Sequence, residues 1–139
     1  NASASVILPA ILFLVAIFLS FSTGTSWGTF AILVPIAIAM FPGADNMQMM
    51  IIAVSAVLSG AVCGDHVSPI SDTTVMSSAG AQSNHINHVT TQMQYAAVVA
   101  VVSAVGFLLA GFVHVWWIVL GVSLILLLAV LTVLRKVAK

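Results

Sequence analysis

The chain has 139 residues, is 62% hydrophobic and only 4% charged, and carries a formal net charge of zero. A water-soluble domain has about a quarter charged residues, so this composition excludes a soluble fold and predicts an integral protein of a cell membrane, multi-pass, with the lipid bilayer as its first partner. No basic patch exists to meet phosphates, which excludes nucleic acid as a partner, and the single Cys63 excludes an internal disulfide. With Asn1 in place of an initiator methionine and no basic segment ahead of the first apolar run, the chain reads as a piece of a longer protein or a processed product.

Residues 6–21 are apolar, residues 20–29 are rich in hydroxyls and glycine, and residues 30–41 are apolar again. Crossing a bilayer takes about 20 helical residues, and a twelve-residue helix reaches only about 18 Å. Two short arms around a polar centre predict a re-entrant helical hairpin over residues 5–41, with its tip near mid-membrane. Such non-helical backbone is tolerated only where protein or a wet cavity surrounds it. The competing reading is two ordinary spans joined by a tight turn at residues 22–29. Pro42-Gly43 and Asp45-Asn46 mark a surface turn, with Asp45 a solvated loop charge.

A helix is predicted over residues 47–63, ending at Gly60 and Gly64. Pro69 lacks an N–H donor and biases Ser68 away from helical backbone. Ser71 or Asp72 can cap a new helix running to about residue 81. Residues 47–81 thus form one broken transmembrane helix. Residues 83–94 are polar and read as a loop or a surface helix, with His85 and His88 a solvated pair rather than a metal site. Residues 95–112 and 116–134 are two complete spans, with Trp116 and Trp117 suited to an interfacial belt. Arg135, Lys136 and Lys139 are the only Lys or Arg residues, so the positive-inside rule places the C-terminus in the cytoplasm. Counting back, the hairpin enters from outside.

The run Gly64-Asp-His-Val-Ser-Pro-Ile-Ser-Asp-Thr-Thr74 holds two of the three acidic residues, Asp65 and Asp72. Ionisable groups at bilayer depth are costly and mark ion pathways or proton relays. At each helix break, one half-helix ends in unpaired carbonyls with partial negative charge and the next begins with unpaired N–H groups and partial positive charge. Transporters place coupling-ion sites at such breaks. The oxygens on offer are those of Ser22, Thr23, Thr25 and Ser26 in one break and of Asp65, Ser68, Ser71, Asp72, Thr73 and Thr74 in the other. A carboxylate in a low-dielectric site favours its protonated form, whereas a bound cation favours the ionised form. A site that holds either Na⁺ or H⁺ gives obligatory exchange. The predicted ion- and proton-binding set is Asp65, Asp72, Ser68, Thr73, Thr25 and Ser26, with His66 a proton relay or a simple hydrogen-bonding partner. No cofactor or resident metal is expected, only Na⁺ and H⁺ as transported ions. Cys63-Gly-Asp-His66 is a sequential adjacency rather than a nucleophile and base in space, and the chain is not expected to be an enzyme.

The run Gly64-Asp-His-Val-Ser-Pro-Ile-Ser-Asp-Thr-Thr-Val-Met-Ser-Ser78 closely resembles the signature of NhaC-type sodium/proton antiporters. Ser22-Thr-Gly-Thr-Ser-Trp-Gly-Thr29 and His85-Ile-Asn-His-Val-Thr-Thr-Gln-Met-Gln-Tyr95 add to the likeness, which covers nearly the whole chain as the C-terminal part of a longer transporter. The resemblance implies a superfamily built from two inverted repeats, each a re-entrant hairpin followed by a broken helix. It implies antiport of Na⁺ for H⁺. The chain is then an all-α half of such a transporter, with residues 1–139 its C-terminal repeat, and its partner is the N-terminal half or another copy. The alternatives are a Na⁺- or H⁺-coupled exchanger of organic acids or amino acids, and a non-transporting membrane subunit that uses small residues such as Ala53, Ala56 and Gly60 as a helix interface.

Overall fold

The structure is a computed structural model that describes residues 2–137, so Lys139 of the basic tail lies outside the described residues. All regular structure among them is helical: α1 (Ala2–Thr23), α2 (Ser26–Met40), a 3₁₀ turn (Ala44–Asn46), α3 (Met47–Val67), α4 (Asp72–Gly80), α5 (His85–Phe112) and α6 (Trp116–Val137). Four of these helices, α1, α3, α5 and α6, are long and apolar enough to cross a membrane, and α2 is shorter. The protein is therefore an all-helical membrane protein with several candidate spans.

α1 and α3 lie side by side in the same direction. Gly60 of α3 packs on the Phe13 carbonyl of α1, Gly64 packs on Ile17 and Phe21, and Ser68 reaches the end of α1. The absence of side chains at Gly60 and Gly64 lets the two backbones touch, as small residues do at membrane helix interfaces. α2 returns antiparallel to both. Its far end places Leu33, Ala37 and Phe41 in one core with Leu12 and Ala16 of α1 and Ala53, Val57 and Ala61 of α3. α5 runs antiparallel along the other side of α1, with the Phe107 ring tilted against Phe13 at a centroid distance of 5.2 Å and Gly111 on the Val6 carbonyl. α6 packs on α5, with Ser123 over Gly106, and otherwise presents apolar side chains outward. An open, mostly apolar groove of about 670 Å³ separates α3, α5 and α6.

The structure corrects four sequence readings. α3 does not stop near Cys63; it passes through Gly60 and Gly64 to Val67, because those glycines serve close packing rather than termination. The small face of α3, including Ala53, Ala56 and Gly60, is buried within this chain rather than left for a partner. The polar centre predicted over residues 20–29 contracts to Gly24 and Thr25. Ser22 and Thr23 donate to the carbonyls of Phe18 and Leu19 one turn back, at 2.7 and 2.9 Å, so their hydroxyls continue α1 rather than interrupt it. Finally, of the two readings of residues 83–94 the helical one holds, but residues 85–94 are the first third of α5 rather than a separate surface helix, started by Asn84, whose side chain accepts from the Asn87 N–H.

Candidate functional site

Two helix breaks meet in space. In the first, Gly24 ends α1 at φ +68°, with its N–H on the Ser20 carbonyl at 2.8 Å; this left-handed terminus is the ordinary use of glycine at a helix C-terminus. Thr25 then turns to extended backbone and caps α2, its Oγ1 accepting from the Gly28 N–H at 3.3 Å. In the second, α3 ends at Val67, Ser68 is extended, and Ser71 caps α4 by accepting from the Thr73 N–H at 3.2 Å. The breaks are in direct contact: a Cβ on Gly24 would lie 3.0 Å from the Ile70 carbonyl carbon and oxygen. Two hydroxyls stitch the ends of α1 and α3 together, Ser68 Oγ to the Phe21 carbonyl at 2.7 Å and Ser20 Oγ to the Ala61 carbonyl at 2.6 Å.

Asp65 lies where these breaks converge. It sits in the last turn of α3 and is 8% exposed. Ser71 Oγ donates to its Oδ1 at 2.6 Å and Ser26 Oγ donates to its Oδ2 at 3.1 Å. Each hydroxyl belongs to the start of a different helix, Ser26 opening α2 and Ser71 capping α4. Both helix N-termini therefore offer partial positive charge toward this carboxylate. Ser71 has a single proton, committed to Asp65, so the Thr73 hydroxyl at 2.7 Å donates to Ser71. The result is a chain of hydroxyls from Thr73, which is exposed, through buried Ser71 to buried Asp65.

The other predicted site residues are placed differently. Ser68 is fully buried but spends its hydroxyl on α1, and its carbonyl accepts from Thr74 Oγ1 at 2.6 Å. Thr25 faces its own helix as a cap. Asp72 is exposed in the first turn of α4, and His66 is exposed on the last turn of α3, outside the Asp65 network. The seven-residue spacing of the two aspartates thus does not place them on one helix face, because the chain between them is not helical from Ser68 to Ser71. Ser71, read from sequence as a cap and as one of several available oxygens but outside the predicted ion-binding set, makes the shortest bond to Asp65. Among the described residues no group of His, Cys, Asp and Glu could hold a metal ion.

Carboxylate, hydroxyl and helix-end carbonyl oxygens together offer hard ligands of the kind that replace water around small cations. The chain matches the model of the Na⁺/H⁺ antiporter family over residues 2–112. It belongs to that family. The matched segment contains both breaks and α5. It is 54% identical over 107 residues, 77% of the chain, to an uncharacterised protein of Haemophilus influenzae. It is 33% identical over 97 residues, 69% of the chain, to a malate-2H⁺/Na⁺-lactate antiporter of Bacillus subtilis. These matches span about a fifth of the length of each relative. No solved structure matches.

Proposed function

We propose that this chain forms part of a longer transporter that exchanges Na⁺ for H⁺ across the membrane, with Asp65 holding the two ions in alternation. The observation that carries this reading is the buried Asp65 carboxylate, joined to hydroxyls at the starts of two separate helices. Na⁺ at Asp65 would take Ser26, Ser71 and nearby helix-end carbonyls as ligands, with Ser68, Thr73 and Thr25 holding the surrounding backbone and hydroxyls. A proton would reach the carboxylate along Thr73 and Ser71. Asp72, exposed at the start of α4, supplies a second negative charge at the approach, and His66 a titratable group beside it. In this reading α1 and α2 form a re-entrant hairpin, consistent with the shorter α2. The C-terminus faces the cytoplasm, and a second, inverted repeat or another copy completes the site from its open side. No resident cofactor takes part, and the chemistry is transport rather than catalysis.

The test is Na⁺-driven proton movement in vesicles containing the full-length protein. Asp65→Asn keeps the size and one acceptor oxygen but removes the charge, so exchange is expected to be abolished, while Asp72→Asn lowers it less. Full activity in Asp65→Asn would overturn the assignment. A second reading follows from the Bacillus subtilis relative, whose name couples malate and protons to Na⁺ and lactate. On that reading the N-termini of α2 and α4 face an organic carboxylate while Na⁺ sits on the carbonyl side. Proton movement that requires malate or lactate as well as Na⁺ would favour it. Normal assembly with no flux under any of these conditions would favour a non-transporting subunit.

A further inference from the structure

His85 and His88 read from sequence as a solvated pair, yet both are half-buried against α4. His85 Nε2 lies 2.7 Å from the Pro69 carbonyl, inside the second helix break, and its Nδ1 lies 3.0 Å from Ser78 Oγ on α4. A carbonyl only accepts, so Nε2 carries a proton and donates. With a neutral ring, Ser78 donates to Nδ1. With a charged ring, Nδ1 donates to Ser78, whose own proton goes to the Val75 carbonyl at 3.0 Å. The bond to Pro69 persists in both forms. His88, one turn further along α5, reaches Ser77 at the longer distance of 3.4 Å.

The peptide groups of residues 68–71 lie between the two helices, and beside a few backbone bonds, from Ser68 N–H to Asp65, from Ser71 N–H to Ser68 and from Val75 N–H to Ser71, side chains hold them. Ser68 accepts from Thr74 and reaches α1, and Pro69 accepts from His85. Two residues beyond Pro69 comes Ser71, which must aim its hydroxyl at Asp65. Pro69 brings no N–H of its own, and the peptide that carries its carbonyl is held at two points, the carbonyl on His85 at 2.7 Å and the Ile70 N–H on Ser68 Oγ at the longer 3.4 Å. We propose that His85 is a positioning residue for the ion site: it anchors the break and α4 to the start of α5, and so holds Ser71 on Asp65. This rests on the reading of Asp65 as the exchanged-ion site.

Two isosteric substitutions separate the two ring nitrogens. A glutamine places its amide nitrogen near the position of Nε2 and keeps the Pro69 bond; an asparagine places its nitrogen near Nδ1 and loses it. The full-length protein is compared as wild type, H85Q, H85N and H85A by hydrogen–deuterium exchange over residues 68–75 and by the Na⁺ dependence of proton movement in vesicles. H85A and H85N are expected to exchange faster across the break and to raise the apparent KM for Na⁺ about fivefold, the factor for one net hydrogen bond, with the maximal rate retained. H85Q stays near wild type in both. Equal effects in all three variants, or none in H85A, overturn the proposal. If the wild type shows no Na⁺-dependent flux the ion-site reading fails, while the exchange pattern over the break still decides whether His85 anchors it.

Discussion

Replacing Gly64 by alanine presses a methyl group against the backbone of α1. The added Cβ would fall on the Ile17 carbonyl oxygen, within 2.9 Å of the Phe21 nitrogen and 3.0 Å of the Ile17 carbonyl carbon. Backbone cannot rotate out of the way as a side chain can, so α1 and α3 must separate locally. Overpacking of this kind costs about 1–3 kcal/mol. The separation also pulls on the two buried hydroxyl bonds that join the same helices, Ser20 to Ala61 and Ser68 to Phe21, each worth about 1 kcal/mol net. If both are lost the total reaches roughly 3–5 kcal/mol. Gly121 is the control, since nothing lies within 4 Å of a Cβ there, and alanine is the better helix former by about 1 kcal/mol. The assay is the apparent melting temperature of the full-length protein in detergent. Gly64→Ala is expected to lower it by roughly 5 °C, and Gly121→Ala to leave it unchanged or raise it. Equal melting of the two variants would refute the close approach of α1 and α3 that the architecture rests on.

Two further outcomes follow from the breaks. Gly24→Ala meets a left-handed backbone and the Ile70 peptide at 3.0 Å, a cost of about 1–2 kcal/mol from the backbone alone; Gly24→Asn, which tolerates that backbone, should recover part of the lost thermal stability, and identical losses would count against the strained turn. Ser71→Ala removes both the α4 cap and the 2.6 Å bond to Asp65. A cap is worth about 1 kcal/mol and a bond to a charged group about 1.5–3, so the apparent affinity for Na⁺ in a flux assay should fall at least tenfold, and an unchanged affinity would remove Ser71 from the site.

The second break was legible in the sequence because its signals are local. Pro69 denies helix to its neighbours, and Ser71 followed by Asp72 is an ordinary helix start; both act through backbone geometry within a few residues. What the sequence could not separate was the pair of aspartates, which look alike in composition and differ only in which side of the break each occupies. Asp65 is buried because α3 continues four residues past Cys63, to Val67, and that continuation depends on Gly60 and Gly64 having α1 as a neighbour. A glycine that ends a helix and a glycine that admits another helix read the same in one dimension. The hydroxyl-rich first break was read too wide for a related reason, since Ser22 and Thr23 satisfy themselves on their own helix. His85 escaped notice because its meaning lies 16 residues away at Pro69; the available hint was Asn84, a helix start that put the histidines on structured backbone.

The two hydroxyls on Asp65 come from helices that enter it from opposite sides of the chain, one from residue 26 and one from residue 71. The carboxylate is therefore a joint as well as a charge. On the proposed reading, a proton on the carboxylate weakens the link between the start of α2 and the start of α4, whereas a bound Na⁺ replaces it by drawing Ser26 and Ser71 onto one ion. Occupancy of a single side chain would in this way be written into the relative placement of two helices, without any lever or long-range relay between them.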